Sequence, residues 1–283
     1  SFAVGKINVS DTLFIKENVD NSTGNIITNS NVVVAGTILP GFSVESEGDI
    51  QIGGTVSGSF IKAGGNVVLR NGIIGGKLEC EGDLTTKFIE NCDVFVKGSV
   101  KADYIMNCRI VCAKSIQASG TISKIVGGSL VAGEDITARI IGTSSYTKTY
   151  IEIGTDPTVV SRQQELIQLL PHLEAKIESL HSLISLFQQL QKANRLTDDK
   201  KQAFYDAVYS YKTSSELLRD GKQELEDITE AIKKRGFGRV ICRGTIYPGT
   251  TVKIGDFKMV VNIPIVNKSL FYTVEGIGEA FAT

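Results

Sequence analysis

A three-residue phrase recurs along the first half of this chain: a turn position, then Asn, Asp or Ser, then an aliphatic residue. It reads Ser30-Asn31-Val32, Gly48-Asp49-Ile50, Gly65-Asn66-Val67, Gly82-Asp83-Leu84, Gly98-Ser99-Val100, Lys114-Ser115-Ile116 and Glu134-Asp135-Ile136. The seven copies repeat with a period near 17 residues. Large apolar residues stand four places before the turn pair (Val44, Ile61, Leu78, Val94, Ile110, Leu130). Mostly small ones stand two places before it (Ser46, Ala63, Cys80, Val96, Cys112, Ala132). Alternation with period two marks β-strands. The segments are too short to bury their own faces, and only stacking turn upon turn covers them. The fold expected is therefore mainly β, a single-stranded parallel β-helix or β-solenoid. Each coil should hold three short strands and three corners. Gly, Asn and Asp are expected at the corners because positive φ costs them least. Identical positions should form columns at the interstrand spacing of about 4.8 Å. A right-handed helix is expected, since the strict hexapeptide pattern of left-handed acyltransferase coils is absent. In this setting Ile52 and Leu69 are stacked core residues, and Gly-rich stretches are corners.

Two coils are near copies. The segments 89–100 and 105–116 align Asn91 with Asn107 and Cys92 with Cys108. Stacked Asn side chains suit a hydrogen-bonded ladder. The stacked cysteines come within reach of a disulfide, although a reduced pair of small apolar residues is the expectation. Five cysteines, an odd number in 283 residues, do not make a disulfide scaffold and fit a reducing cytoplasm.

At residue 157 the period changes from strand to helix. Asp156-Pro157 forms an N-cap and first-turn pair. Leu166, Leu170, Leu173, Ile177, Leu180, Ile184 and Phe187 then follow a heptad seam. Pro171 lies inside it and is expected to kink the helix or start its straight part. Asn194-Arg195-Leu196 makes the turn, and Thr197-Asp198-Asp199 opens a second helix with acids at its positive end. The second seam reads Phe204, Val208, Tyr211, Ser215, Leu218, Lys222, Leu225, Ile228 and Ile232, closing with Lys233, Lys234, Arg235 and Gly236. Two helices and one short turn make an antiparallel coiled-coil hairpin. An arm of about 35 residues would project about 50 Å. The β pattern returns at 240–257, and Val260, Val261, Ile263, Ile265 and Val266 are expected to cover the end of the stack. The division expected is 1–22 as an N-terminal cap or remnant, 23–157 as solenoid, 158–236 as hairpin, and 237–283 as returning strands and end cap. The chain opens with Ser rather than Met, which fits a fragment of a longer protein.

Chemistry is sparse in this pattern. Thirty basic residues balance 31 acidic ones, so no basic field for nucleic acid arises. No run reaches the ~20 apolar residues of a membrane span. His172 and His181 both fall on the first helix, nine residues apart and off a common face. No cysteine spacing suits zinc: Cys108 and Cys112 share a strand face but lie about 13 Å apart. Asp49, Asp83 and Asp135 stack at equivalent corners. The column alternates with Asn31, Asn66 and Ser115, as turn geometry alone requires. The Gly-rich stretch 53–58 leads into no helix, so it is no phosphate loop. No catalytic, metal or cofactor residue is assigned. The candidate interaction residues lie on the arm: Asn194, Arg195 and Leu196 at its turn, and Tyr205 and Tyr209 beside its seam.

The sequence TGNI at 23–26, the serial phrases and GSLVAGEDITARIIGT at 128–143 carry a resemblance to the flagellar assembly protein A family. So do TKTYIEIGTDP at 147–157 and GTIYPGTTVKIGD at 244–256, which flank the helical insert. The resemblance covers residues from about 19 to 260 of this sequence. It implies a non-enzymatic, cytoplasmic bacterial protein of flagellar assembly, peripheral to the cell pole, with protein partners and no cofactor. The solenoid alone also resembles polymer-forming cytoskeletal proteins and the C-terminal domain of the division inhibitor that acts on the tubulin-like ring. Three readings follow: a scaffold with protein-binding surfaces; a polymer-forming element, homo-oligomeric through its ends; and a carbohydrate-binding or carbohydrate-active β-helix.

Overall fold

The computed structural model describes residues 12–154, 157–193, 197–234 and 238–282. It is a mainly β protein built as a parallel solenoid of about eight turns, with two long helices inserted. Two compact units result: Ser1–Pro157 with Gly236–Thr283, and Thr158–Arg235.

Each coil of the first unit contributes to three faces. On the first, Val32, Ile50, Val67 and Leu84 stack in parallel register, and the column continues through Val100, Ile116, Ile136 and Val240. On the second, Val56, Ile73, Ile89, Ile105, Ile125, Ile141 and Ile246 superpose. The third carries the column read from the sequence, Val44 to Leu130, extended by Ile151 and Val252. These residues are buried, and Ile52 pairs with Leu69 in the same core. Fully burying each such side chain contributes about 2–3 kcal/mol relative to exposing it. The strand Thr12–Ile15, within the segment set apart above as 1–22, pairs with Asn31–Val34, and Val19 is already core.

The recurring phrase owes its glycine to close approach and not to positive φ. None of Gly48, Gly65, Gly82 and Gly98 has a positive φ. Instead, the Asn or Asp of one coil reaches over the glycine of the next. Its Oδ1 accepts a backbone N–H of that coil: Asp49 N–H donates to Asn31 Oδ1 at 2.8 Å, Asn66 N–H to Asp49 Oδ1 at 2.6 Å, Asp83 N–H to Asn66 Oδ1 at 2.9 Å and Ser99 N–H to Asp83 Oδ1 at 2.7 Å. A Cβ added at Gly65 would lie 2.2 Å from Asp49 Oδ1, and one at Gly98 2.2 Å from Asp83 Oδ1. Where the lower coil carries the shorter Ser99 or Ser115, the position above it is Lys114 or Glu134. Asp135 restores the pattern: an eighth copy, Gly238-Arg239-Val240, stands above it, and Arg239 N–H donates to Asp135 Oδ1 at 2.7 Å.

Positive φ is concentrated at a different corner, the bend between second and third faces. There Gly41, Gly58, Gly75, Asn91, Asn107 and Gly127 recur at one coil position, the two asparagines at φ 52°. Asn tolerates this left-handed region better than most side chains. Asn91 and Asn107 superpose as expected, but no hydrogen bond joins their side chains. The ladder of stacked Asn and Asp groups runs through the phrase corner instead.

The chain leaves the solenoid after Gly154 and re-enters at Gly238. In the coil below, the equivalent positions are the directly bonded Gly133 and Glu134. Gly154 N–H donates to Ala132 O at 3.1 Å just as Gly133 N–H donates to Cys112 O at 3.0 Å. The helical unit is thus inserted into what is a single peptide bond of an ordinary corner. The last coil is covered by antiparallel strands: Phe257–Val260 on Thr250–Ile254, and Ile265–Thr273 along Arg239–Ile246, with Gly276–Phe281 outside it. Of the five residues expected to close this end, Val261 is buried and Ile265 packs on the core. Val260, Ile263 and Val266 face outward: the covering strands of Val260 and Val266 alternate and only one side meets the stack, and Ile263 lies in the bend between those strands.

The second unit comprises α1 (Pro157–Lys192) and α2 (Asp198–Lys234). α1 runs unbroken through Pro171, and Thr197 O accepts the N–H groups of Lys200 and Lys201 as α2 begins. Asp156, Arg235 and Gly236, expected at the helix ends, lie outside the described residues. The helices are antiparallel: Phe187 meets Phe204 edge-on at 5.9 Å between ring centroids, and Arg162 pairs with Glu224. The α1 seam lies where the heptads placed it. The α2 seam differs at three positions, moving from Val208, Ser215 and Lys222 to the residue before each. Ala207, Ser214 and Gly221 are buried, while Val208 and Lys222 are exposed and Lys222 pairs with Glu174. Small residues win these positions because α1 presents bulky ones. A Cβ at Gly221 would lie 2.9 Å from Leu170 Cδ2 and 3.7 Å from Leu166 Cδ2.

Candidate functional site

The polar groups that stack on the solenoid are occupied by its own backbone. Asp49, Asp83 and Asp135 each accept a main-chain N–H from the coil above, so their column is a corner clamp and not a set of paired carboxylates. In the Gly-rich stretch, Gly53 N–H donates to Val34 O and Gly54 N–H to Gly36 O, both at 2.8 Å. A phosphate would need those donors free. All five cysteines are free thiols facing inward. Cys80 Sγ donates to Gly65 O at 3.1 Å and Cys112 Sγ to Gly98 O at 3.0 Å, the bond that Ser46 Oγ makes to Ser30 O. Burial pushes the Cys80 thiol up to about 11 and Cys112 up to about 12. Among the described residues no group of three His, Cys, Asp or Glu side chains is placed to hold a metal ion.

Two surfaces remain. The first is a trough of about 930 Å³ along the left-handed bend, running across the coils from Gly41 to Ser129. Glycines and the small inward residues Ser59, Cys92 and Cys108 form its floor, and Phe60, Lys77, Asp93 and Arg109 stand in one column on its wall. Lys77 lies over the Phe60 ring at 5.8 Å and pairs with Glu79. The reading of the sequence did not single out this trough. Its signal is the recurrence of Gly or Asn at 41, 58, 75, 91, 107 and 127. These are scattered among other glycines and become one line only when the coils are stacked. Nearby, Tyr104 donates to Glu90 Oε1 at 2.5 Å, and this bond, with burial, pushes the phenol up to about 12.

The second surface is the hairpin. Asn194, Arg195 and Leu196 lie outside the described residues. Tyr205 and Tyr209 are 64% and 74% exposed on α2. The aromatic stripe divides: Phe204 and Tyr211 turn into the seam, against Phe187 and His181, while Tyr205 and Tyr209 point outward. His172 and His181 are exposed; His172 Nδ1 lies 2.8 Å from Gln168 O. Near the open end of the hairpin Arg162 grips both carboxylate oxygens of Glu224, at 2.8 and 2.9 Å. Among the described residues no helix is long and apolar enough to cross a membrane.

A family model described as the flagellar assembly protein A β-solenoid domain matches residues 11–277. No curated protein and no solved structure matches the chain. The match takes in the solenoid coils, the inserted helices and the returning strands together, and the chain belongs to the flagellar assembly protein A β-solenoid family.

Proposed function

We propose that this chain is a non-enzymatic scaffold of bacterial flagellar assembly, working in the cytoplasm and at the cell pole. In this reading it presents protein-binding surfaces on a stiff solenoid and on the helical hairpin. Family membership supports the flagellar role. The scaffold reading is carried by one observation: the corner carboxylates Asp49, Asp83 and Asp135 and the thiols of Cys80 and Cys112 bond to main-chain atoms of neighbouring coils. What stays open to solvent is surface for contact, with Tyr205 and Tyr209 as aromatic anchors of the kind enriched in protein interfaces. End-to-end stacking into a filament is disfavoured at the C-terminal end, where antiparallel strands already pair with the last coil.

The test joins Gly154 directly to Gly238, removing 155–237 and leaving a corner of ordinary length. Immobilised full-length chain should retain flagellar assembly proteins from a lysate of a flagellated bacterium, and the excised chain should not. Replacing Tyr205 and Tyr209 together by Ala should weaken capture several-fold. Equal capture by the excised chain would remove the hairpin from this role and leave the solenoid face as the docking surface.

A further inference from the structure

The stacked thiols of Cys92 and Cys108 take no part in the scaffold reading. Pairing of Glu90 with Met106 and of Asp93 with Arg109 sets one directly over the other in neighbouring coils, each following a left-handed asparagine. The same column holds Ser59, Gly76, Gly128 and Thr149 in other coils, so only here do two sulfur atoms meet. Cys92 Sγ donates to Glu90 O at 2.9 Å and Cys108 Sγ to Met106 O at 3.1 Å. Both are nearly closed to solvent, at 3% and 1% exposure, yet both line the trough, which Cys80, Cys112 and Cys242 do not. The thiols also differ in acidity. The neighbouring thiol draws Cys108 down and, with burial, pushes Cys92 up. The other three are all pushed up by burial.

We propose that Cys92 and Cys108 form an oxidisable dithiol that a hydroperoxide entering through the trough converts into an inter-coil disulfide. The Cys108 thiolate attacks the peroxide oxygen, the O–O bond breaks, and hydroxide leaves to become water. The Cys92 sulfur then attacks the resulting sulfenic sulfur, and its oxygen departs as a second water. Two thiols are oxidised by two electrons and one hydrogen peroxide is reduced to two waters. Adjacent parallel strands stand about 4.8 Å apart, inside the ~4.4–6.8 Å Cα separation that disulfides bridge. The bond closes a loop of one coil and locks the two coils that form the middle of the trough.

The full chain is treated with hydrogen peroxide, quenched with catalase, then denatured and alkylated. The expected product is lighter by two hydrogens, carries three alkyl groups rather than five, and yields a peptide linking residues 92 and 108. Dithiothreitol should restore all five sites. The Cys92→Ser variant should fold, since Ser59 holds the same column position, and its Cys108 should be trapped by dimedone as a sulfenic acid. Cys80→Ser should cross-link as the parent does. Five alkylated cysteines after peroxide, oxygen added to either thiol without a cross-link, or loss of two hydrogens in Cys92→Ser would overturn the proposal.

Discussion

The solenoid and the hairpin both depend on glycine, and they use it for opposite reasons. At Gly65 the obstacle to a side chain is the Oδ1 of Asp49, an atom held in place by its bond to the Asn66 N–H. At Gly221 the obstacle is the Cδ2 of Leu170, the far end of a flexible side chain. One region is assembled from fixed hydrogen bonds repeated coil by coil, the other from side chains that can re-pack. The solenoid is therefore intolerant at its corners, and the hairpin is tolerant along its seam.

The largest test of this contrast is the excised chain, Gly154 joined to Gly238. Circular dichroism should lose the helical signal entirely while the β signal and the main unfolding transition remain near the parent's. An unfolded product would show that the solenoid needs its insert. Next in size, Gly65→Ala should destabilise by about 2–3 kcal/mol in denaturant unfolding, as overpacking against fixed atoms does. Asp49→Ser alone should cost about 1 kcal/mol, for the bonds its Oδ1 accepts from the Asn66 N–H and, at 3.3 Å, from the Asn66 side-chain amide. The double variant should cost less than the sum, since Ser99 under Lys114 and Ser115 under Glu134 are natural examples of the same pairing. Strict additivity would sink the corner explanation. Gly221→Ala should stay within about 1 kcal/mol of the parent, because helix propensity gains about what the Leu170 contact loses. A loss as large as that at Gly65 would erase the distinction between the regions.

The smallest effect concerns Arg162 and Glu224. The guanidinium holds the Glu224 carboxyl below its ordinary value of 4.5. A group whose folded value is depressed stabilises above the unfolded value and loses that contribution as pH falls through the folded one. Helical signal should therefore decline slightly as the solution is taken below pH 4.5, and Glu224→Gln should abolish that decline. The pair is solvated, so the change should be small and should shrink further in salt. A large acid transition at this pair would mean that it is more shielded than its position suggests.

Much of this was legible in the chain. The period near 17 residues and the alternating columns led to the stacked coils, and the change of period at Pro157 led to the two helices. The reason for the glycines was not legible. Gly48 and Gly58 look alike in sequence, yet one lies under a carboxamide and the other at a left-handed bend. The α2 seam was misplaced at Val208 and Lys222 because hydrophobicity favours Val208 over its buried neighbour Ala207. The partner's bulk, in Leu166 and Leu170, decides which positions must be small. The eighth phrase at Gly238 was hidden because it stands 104 residues after its predecessor, with both long helices in between.

By itself, then, the sequence determined the class of each region. Period two interrupted by turn residues can bury its apolar faces only by stacking, and period three-and-a-half can do so only by pairing helices. Tertiary structure alone decided which atoms meet between coils. Partners one coil apart are about 17 residues apart in the chain, so only stacking shows that an aspartate demands the glycine above it. Stacking likewise made a trough of glycines that the chain scatters.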